Sequence, residues 1–225
     1  MNKVSENPSK NRIGDFNSLT VLSGLLITLY LTANIMAVKI IEIGNVSIFD
    51  AGTITFPFTY MIGDVLSEIW GYKTTKKIIF LTFLSNAMLI IFTTIAVYLP
   101  APADMAAVNE SFAIIFGYVP RIVIASLISF LIGELANSKV LVKLRDASPD
   151  GSKLWLRTIS SSVVGHLLDT VLFVIIAFAG TVPASSVWSM IWIQYLSKLL
   201  IEVAFGTPLA YILVSNIKRR CILCR

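Results

Sequence analysis

Three pairs of ionisable residues recur at helical spacing inside strongly apolar sequence. Asp64 and Glu68 are four apart, His166 and Asp169 three apart, and Lys198 and Glu202 four apart; Glu134 stands alone on a further apolar run. Residues three or four apart share one face of a helix, so each pair presents its polar groups together. Carboxylates so placed can accept hydrogen bonds from a donor-rich ligand, pair with a cation or carry a proton. Plainer readings stand beside these. Lys198 and Glu202 satisfy each other as a pair that locks one helix, and Glu68, close to Trp70 and Lys73, reads equally as a residue reaching toward water. His166, the sole histidine, reads as an interhelical donor rather than a metal ligand. Asp64 and Asp169 resist that treatment, because the nearest basic residues in sequence lie several turns away. Each needs a partner from another helix, a proton or a substrate.

Catalytic signatures are missing. The chain has no HExxH, no GxSxG, no GxxxxGK[ST] and no Cys/His cluster, and one histidine limits general-base chemistry of the triad kind. No metal and no cofactor are expected. Cys221 and Cys224 form a lone CILC with neither a second pair nor a nearby histidine, and are read as two reduced thiols. A membrane-embedded enzyme working through Asp64 and Asp169 is the remaining catalytic alternative, and neither Asp sits in a motif that supports it.

The elements that must hold these residues are membrane helices. Of 225 residues, 56% are hydrophobic and 14% charged, against about 25% charged in soluble domains. Apolar runs of roughly 20 residues recur, long enough for a hydrocarbon layer of about 30 Å. Six are read, near 18–43, 55–72, 77–99, 120–142, 156–179 and 187–214. The expected fold is an all-α integral membrane protein of six transmembrane helices, with a polar N-tail over 1–17, a transporter domain over 18–217 and a basic C-tail over 218–225. A charge at mid-bilayer carries a penalty of roughly 2.5–3.5 kcal/mol on insertion scales, so the intramembrane polar residues must face one another or a wet cavity.

Net charge is +5, and position decides its meaning. Fifteen of the 18 basic residues fall in four places: Lys3, Lys10 and Arg12; Lys73, Lys76 and Lys77; Lys139, Lys143, Arg145, Lys153 and Arg157; and Lys218, Arg219, Arg220 and Arg225. A six-span threading puts all four on one side, opposite Glu42, Asp50, Asp104 and Glu110. Both termini are therefore expected in the cytoplasm, and the basic excess is a topology signal rather than a nucleic-acid footprint. Alternation through Val46 and Ile48, a turn at Asp50-Ala51-Gly52 and then Thr53, Ile54 and Thr55 suggests a short β-hairpin in the first outer loop. A short surface helix is expected in the long connection 100–120. Pro57 and Gly63 are reasons for a kink or break in the second run. The stretches IGDVLSEIWGYKTTKK and IGELANSKVLVKLR read as a trace of internal duplication. Ser126, Ser129 and Gly133, and Ser161, Ser162 and Gly165, give small faces for helix contact.

Four stretches, FPFTYMIGDVLSEIWGYK, GELANSKVLVKLR, RTISSSVVGHLLDTVLFVIIAFAG and QYLSKLLIEVAFGTPLAYILVSNIKRR, occur in order over residues 20–220. Together they resemble the vitamin uptake transporter (VUT) family, the queuosine precursor transporters of bacterial inner membranes. The resemblance implies uptake of a 7-deazaguanine, the nitrile preQ0 or the aminomethyl preQ1, with the lipid bilayer as the other partner and the oligomeric state left open, a homo-oligomer included. It also implies a chemical use for the carboxylates. One carboxylate, of Asp64, Glu68, Glu134 or Asp169, accepts the base's N1–H and exocyclic NH2 together, and a second balances the aminomethyl cation. Asn137 or His166 meets the remaining edge, and Phe56, Phe58, Tyr60 or Tyr195 stacks on the ring. The family pattern is matched best at Asp64, Gly133, Arg157, Asp169, Lys198 and Pro208, while members are expected to vary at Glu68, Glu134, Asn137 and His166. The family is similar in outline to the substrate-binding components of energy-coupling-factor importers. A component of that kind, for another vitamin or nucleobase, is the second reading.

Overall fold

The computed structural model describes residues 8–43, 46–117, 120–147, 154–178, 180 and 184–223. Lys3, Lys153, Cys224 and Arg225 lie outside the described residues, as do the side chains of Lys10, Arg12, Glu42, Val46, Ile48, Arg121, Arg220 and Cys221. In chain order the elements are α1 (Pro8–Met36), β1 (Ile40–Ile43), β2 (Val46–Asp50), a 3-10 turn (Ala51–Ile54), α2 (Phe56–Val97), a second 3-10 turn (Ala103–Met105) and α3 (Ala106–Gly117). Then follow α4 (Pro120–Ala147), α5 (Leu154–Phe178), α6 (Ala184–Ile201), a π-helical segment (Glu202–Gly206) and α7 (Thr207–Leu223). Five stretches among the described residues are long and apolar enough to cross a membrane: Asn17–Met36, Ala51–Val97, Ile124–Ala147, Leu154–Phe178 and Val187–Arg219.

The first outer loop differs from the expected hairpin. A hairpin is present but earlier in the chain: antiparallel pairing joins β1 to β2, with Ile41 opposite Phe49 and Ile43 opposite Val46, and Asp50, read as the start of the turn, ends the second strand opposite Ile40. Thr53 belongs to the 3-10 turn instead. Asp50 caps that turn, accepting from the Thr53 amide at 3.1 Å and the Thr53 hydroxyl at 3.2 Å. An N-cap carboxylate that satisfies a free N–H favours helical over strand geometry for the residues after it.

The break in the second run also lies elsewhere. Pro57 occupies the first turn of α2, where its missing N–H costs no intrahelical bond, and Gly63 sits in regular helix. The interruption is at Gly71, with φ 76° and ψ 169°, a conformation open to glycine and strained for side-chain-bearing residues. It divides α2 into a first arm over 56–70 and a second over 72–97. A helix that stops exposes its last carbonyls, and here Arg145 of α4 answers them. Its Nη1 donates to Ser67 O at 2.8 Å and Glu68 O at 2.9 Å.

The first arm is the axis of the molecule, with every residue over 56–68 buried except Phe58. One apolar cluster flanks it, built from Leu22, Leu26, Val65, Leu66, Ala210 and Val214; a second joins Tyr30, Phe56, Ile79, Leu127 and Phe130. Between them, α4 and α5 close onto the arm through glycine. A Cβ on Gly165 would stand 2.7 Å from Asn137 Cβ and 2.8 Å from Tyr60 Cε1, and one on Gly133 would stand 2.8 Å from Asp169 Cβ. Small residues let backbones approach where lipid supplies no hydrophobic drive between helices.

Candidate functional site

The polar residues singled out by spacing converge on the first arm of α2. Asp64 is buried and accepts from Asn137 Nδ2 at 2.7 Å, while its Oδ2 has no hydrogen-bond partner among the described residues. Glu134, fully buried on α4, faces Gly63, and a Cβ there would collide with its Oε1. Neither Glu134 oxygen has a partner among the described residues. The arm thus carries glycine opposite the acid, and the carboxyl group occupies the space a side chain would fill.

Two further acids are matched across helices. Lys198 Nζ donates to Asp169 Oδ2 at 2.7 Å and lies 4.8 Å from the centre of the Phe56 ring. Glu202 accepts from the Ser162 hydroxyl through Oε1 and meets His166 Nε2 through Oε2. The expected Lys198–Glu202 pair is therefore not the one formed: each residue reaches α5 instead, Lys198 to Asp169 and Glu202 to His166. Proline cannot donate to the ladder and crowds the carbonyl four residues back, and ahead of Pro208 the helix widens into a π turn that begins at Glu202, with Thr207 N donating to Glu202 O.

Tyr60 closes the group. Its ring lies 4.1 Å from that of His166 at 42°, and its hydroxyl donates to Gly165 O at 3.4 Å. His166 Nδ1 and Asn137 Oδ1, both buried, have no partner among the described residues. Four carboxyl groups, Asp64, Glu134, Asp169 and Glu202, thus surround one ammonium and one imidazole. Asp64, Glu134 and Glu202 are near enough to repel one another. A buried cluster with surplus acid favours a ligand that brings N–H donors or positive charge.

Three of the expected site residues are placed apart from this group. Glu68 lies at the far end of the arm, where its Oε1 accepts from Arg157 Nη2 at 2.9 Å and Lys218 Nζ at 3.3 Å, tying α2 to α5 and α7. Phe58 packs on the apolar cluster of Leu22, Met61 and Ala210. Tyr195 donates to Val163 O at 3.5 Å and meets Trp192 edge-on at 6.2 Å. In the other direction, Ser162 joins the site although its sequence signal pointed only to packing. Arg157, counted as a topology residue, is nearly enclosed. Asp50 lies near Lys198; burial pushes its carboxyl above the usual range, and the Lys198 charge and the two Thr53 hydrogen bonds pull it back.

A family model described as "Putative vitamin uptake transporter" matches residues 50–213. The chain is 31% identical over 180 residues to a "Probable queuosine precursor transporter" of Bacillus subtilis, covering 80% of this chain and 77% of that one. It is 30% identical over 169 residues to a protein of the same description from Haemophilus influenzae, covering 74% and 68%. To the "Queuosine precursor transporter" of Escherichia coli it is 26% identical over 172 residues, covering 75% and 74%. No solved structure matches.

Proposed function

Since this chain belongs to the vitamin uptake transporter family and is thus a multi-pass membrane transporter rather than an enzyme, we propose that it imports a queuosine precursor across the bacterial inner membrane. Queuosine precursor is the cargo in the names of the relatives from three bacteria, and the form of it read here is a 7-deazaguanine such as preQ0 or preQ1. One observation carries the site: Glu134 and Asp64 are buried at the centre of the bundle with three carboxyl oxygens unpartnered among the described residues. A guanine-like base offers N1–H and exocyclic NH2 side by side, which one carboxylate takes together. Glu134 has both oxygens for that pair; Asp64 is the acid for a preQ1 ammonium. Asn137 Oδ1 and His166 Nδ1 are available to the remaining ring edge, with Tyr60 beside it. Asp169 and Lys198 form the wall next to Phe56.

The chain crosses six times in this reading, with both termini cytoplasmic. The break at Gly71 supports it, since α2 then supplies two crossings, and so does the gathering of basic residues in alternate connections. The ties of Glu68 to Arg157 and Lys218 lie toward the basic side, where they hold the cytoplasmic end closed.

The experiment is uptake of labelled preQ0 and preQ1 into cells lacking their own carrier. Wild type restores queuosine in tRNA, and Glu134→Gln, which keeps the shape but replaces one acceptor by a donor, lowers uptake on the order of tenfold to a hundredfold, as the loss of one charge-assisted hydrogen bond would. Uptake by Glu134→Gln and Asp64→Asn equal to wild type, at equal protein level, rules the carboxylate site out.

A further inference from the structure

A cleft between α1, the second arm of α2 and α3 takes no part in the transport reading. Its lining is mostly apolar, with Ile35 from α1, Val38 just beyond it, Leu89 and Ile90 from α2 and Phe116 from α3, and among the described residues it contains no charged one. The empty space in and before the cleft, open solvent included, is about 570 Å3. Asn86 also lines it. That side chain is fully buried, and neither its Nδ2 nor its Oδ1 has a hydrogen-bond partner among the described residues. The other polar groups of the lining are better served. Asn34 donates to Tyr30 O at 3.0 Å and accepts from Ser126 Oγ at 2.6 Å, and the Thr93 hydroxyl donates to the carbonyls of Leu89 and Ile90 at 2.8 and 3.1 Å.

We propose that this cleft is a second binding site, in which the Asn86 carboxamide pairs with the lactam edge of a neutral planar heterocycle. A carboxamide offers one acceptor and two donors in a plane. A lactam offers the complement, N–H beside C=O, so the two join by a pair of antiparallel hydrogen bonds. The lactam N–H donates to Oδ1 and Nδ2 donates to the lactam oxygen. Guanine-like bases carry that edge in N1–H and O6, and flat apolar walls suit the ring faces. With no carboxylate among the described residues of the lining, the cleft offers no counter-charge to an ammonium group, so it selects the nitrile form over the aminomethyl form.

As a place for the transported base, the cleft rests on the transport reading and adds a subsite to it. The two are joined by contact. Asn34 is one helical turn from Tyr30, whose ring stacks on Phe130 at 3.8 Å and meets Phe56 edge-on at 6.0 Å. Phe56 in turn lies under Lys198 at the centre. A base held at Asn86 therefore waits one aromatic layer away from the carboxylates.

The test is equilibrium binding on the purified full-length protein in lipid nanodiscs, with preQ0, preQ1, guanine and 1-methylguanine as probes. The methyl group of the last blocks the lactam nitrogen. Wild type is expected to bind preQ0 and guanine at two classes of site. In Asn86→Leu one class disappears or weakens on the order of tenfold or more, while the melting temperature of the unliganded protein holds or rises because no buried amide is left unpaired. 1-Methylguanine misses that class in wild type, and preQ1 binds it weakly. Glu134→Gln keeps it. Should Asn86→Leu misfold, Asn86→Ala, which carries no hydrogen-bonding group, is expected to lose the same class. The proposal is overturned if Asn86→Leu or Asn86→Ala binds as wild type does, if 1-methylguanine competes at that class as guanine does, or if no lactam binds there at all. Wild-type uptake by Glu134→Gln sinks the central carboxylate site and leaves this one standing, whereas wild-type binding by the Asn86 variants does the reverse.

Discussion

The two arms of α2 are consecutive in the chain and opposite in environment. Over 56–68 the first arm buries every side chain but Phe58, two of them acids. The second turns Phe80, Leu81, Leu84, Met88, Ile91, Phe92 and Ile95 outward and buries a narrow strip of Thr75, Ile78, Ile79, Thr82 and Asn86. In water the more apolar arm would be the inner one. In lipid apolar surface needs no burial, so the inner arm is the one whose polar groups need partners and whose small residues let neighbours close in. Hydrophobicity alone ranks the two arms the wrong way round.

The largest way to break that contrast is to remove a partner of the inner arm. Arg157→Leu leaves Glu68 enclosed with Lys218 alone, and Lys218 is half exposed. Loss of one member of a buried ion pair costs about 3–5 kcal/mol, and the remaining lysine places the expected loss near the lower end. The matched change on the outer arm, Leu84→Ala, removes a lipid-facing side chain and is expected to stay within about 0.5 kcal/mol, as surface substitutions do. Denaturant unfolding of both variants in the same detergent measures the difference. Equal losses would mean that the arms do not differ as described.

The junction gives the next effect. Gly71→Ala meets no clash, since its Cβ would stand 3.6 Å from the Arg145 guanidinium, but the backbone there has φ +76°. Holding alanine at this positive φ and extended ψ costs about 1–3 kcal/mol, and relaxing it pulls the arms toward one continuous helix and away from the Arg145 bonds. A lower melting temperature with reduced uptake is expected. An Arg145→Ala variant with unchanged stability would show instead that the carbonyls at the break are served without it.

How far the sequence foretold this follows from the same contrast. The membrane class, the helical spans and the identity of the buried acids were legible, because an ionisable residue in a long apolar run has few places to be. The facing of Asp64, His166 and Asp169 was legible too, through three- and four-residue spacing. Partner choice was not. Lys198 and Glu202 stand four apart on one helix and could pair with each other, yet each takes a partner on α5, Asp169 and His166, and spacing within one helix says nothing of what a neighbouring helix offers. Gly63 and Pro57 drew attention from Gly71, because a proline in a first helical turn and a glycine facing a carboxyl group look in sequence like breaks. Glu68 and Asp64 share a face, yet a turn's rise of about 5.4 Å along the axis separates the centre from the end of the arm. Spacing reports direction around a helix more sharply than depth along it. The hairpin expected in the first outer loop has its strands over 40–50 rather than around Asp50: alternation in Thr53, Ile54 and Thr55 competed with an N-cap at Asp50, and the cap prevailed.

The smallest effect lies at the head of the inner arm, where Asp50 caps the turn that leads into Phe56. Its carboxyl is pushed up chiefly by burial, against the pull of Lys198 and Thr53. A carboxyl raised in the folded state holds its proton more tightly there than in the unfolded chain. Between the ordinary carboxylate value and the raised one, the folded protein therefore binds more protons, and stability falls as pH rises through that window. Below it the contribution is fully present, and above it the loss is complete. Asp50→Asn keeps an oxygen for the Thr53 amide and removes the titration. The melting temperature of wild type relative to this variant is accordingly expected to be highest at acid pH and to decline as pH is raised, levelling off once Asp50 is ionised. A relative stability that climbs with pH would place the attraction of Lys198 above the cost of burial, and would make the head of the inner arm an ion-paired site like its foot at Glu68.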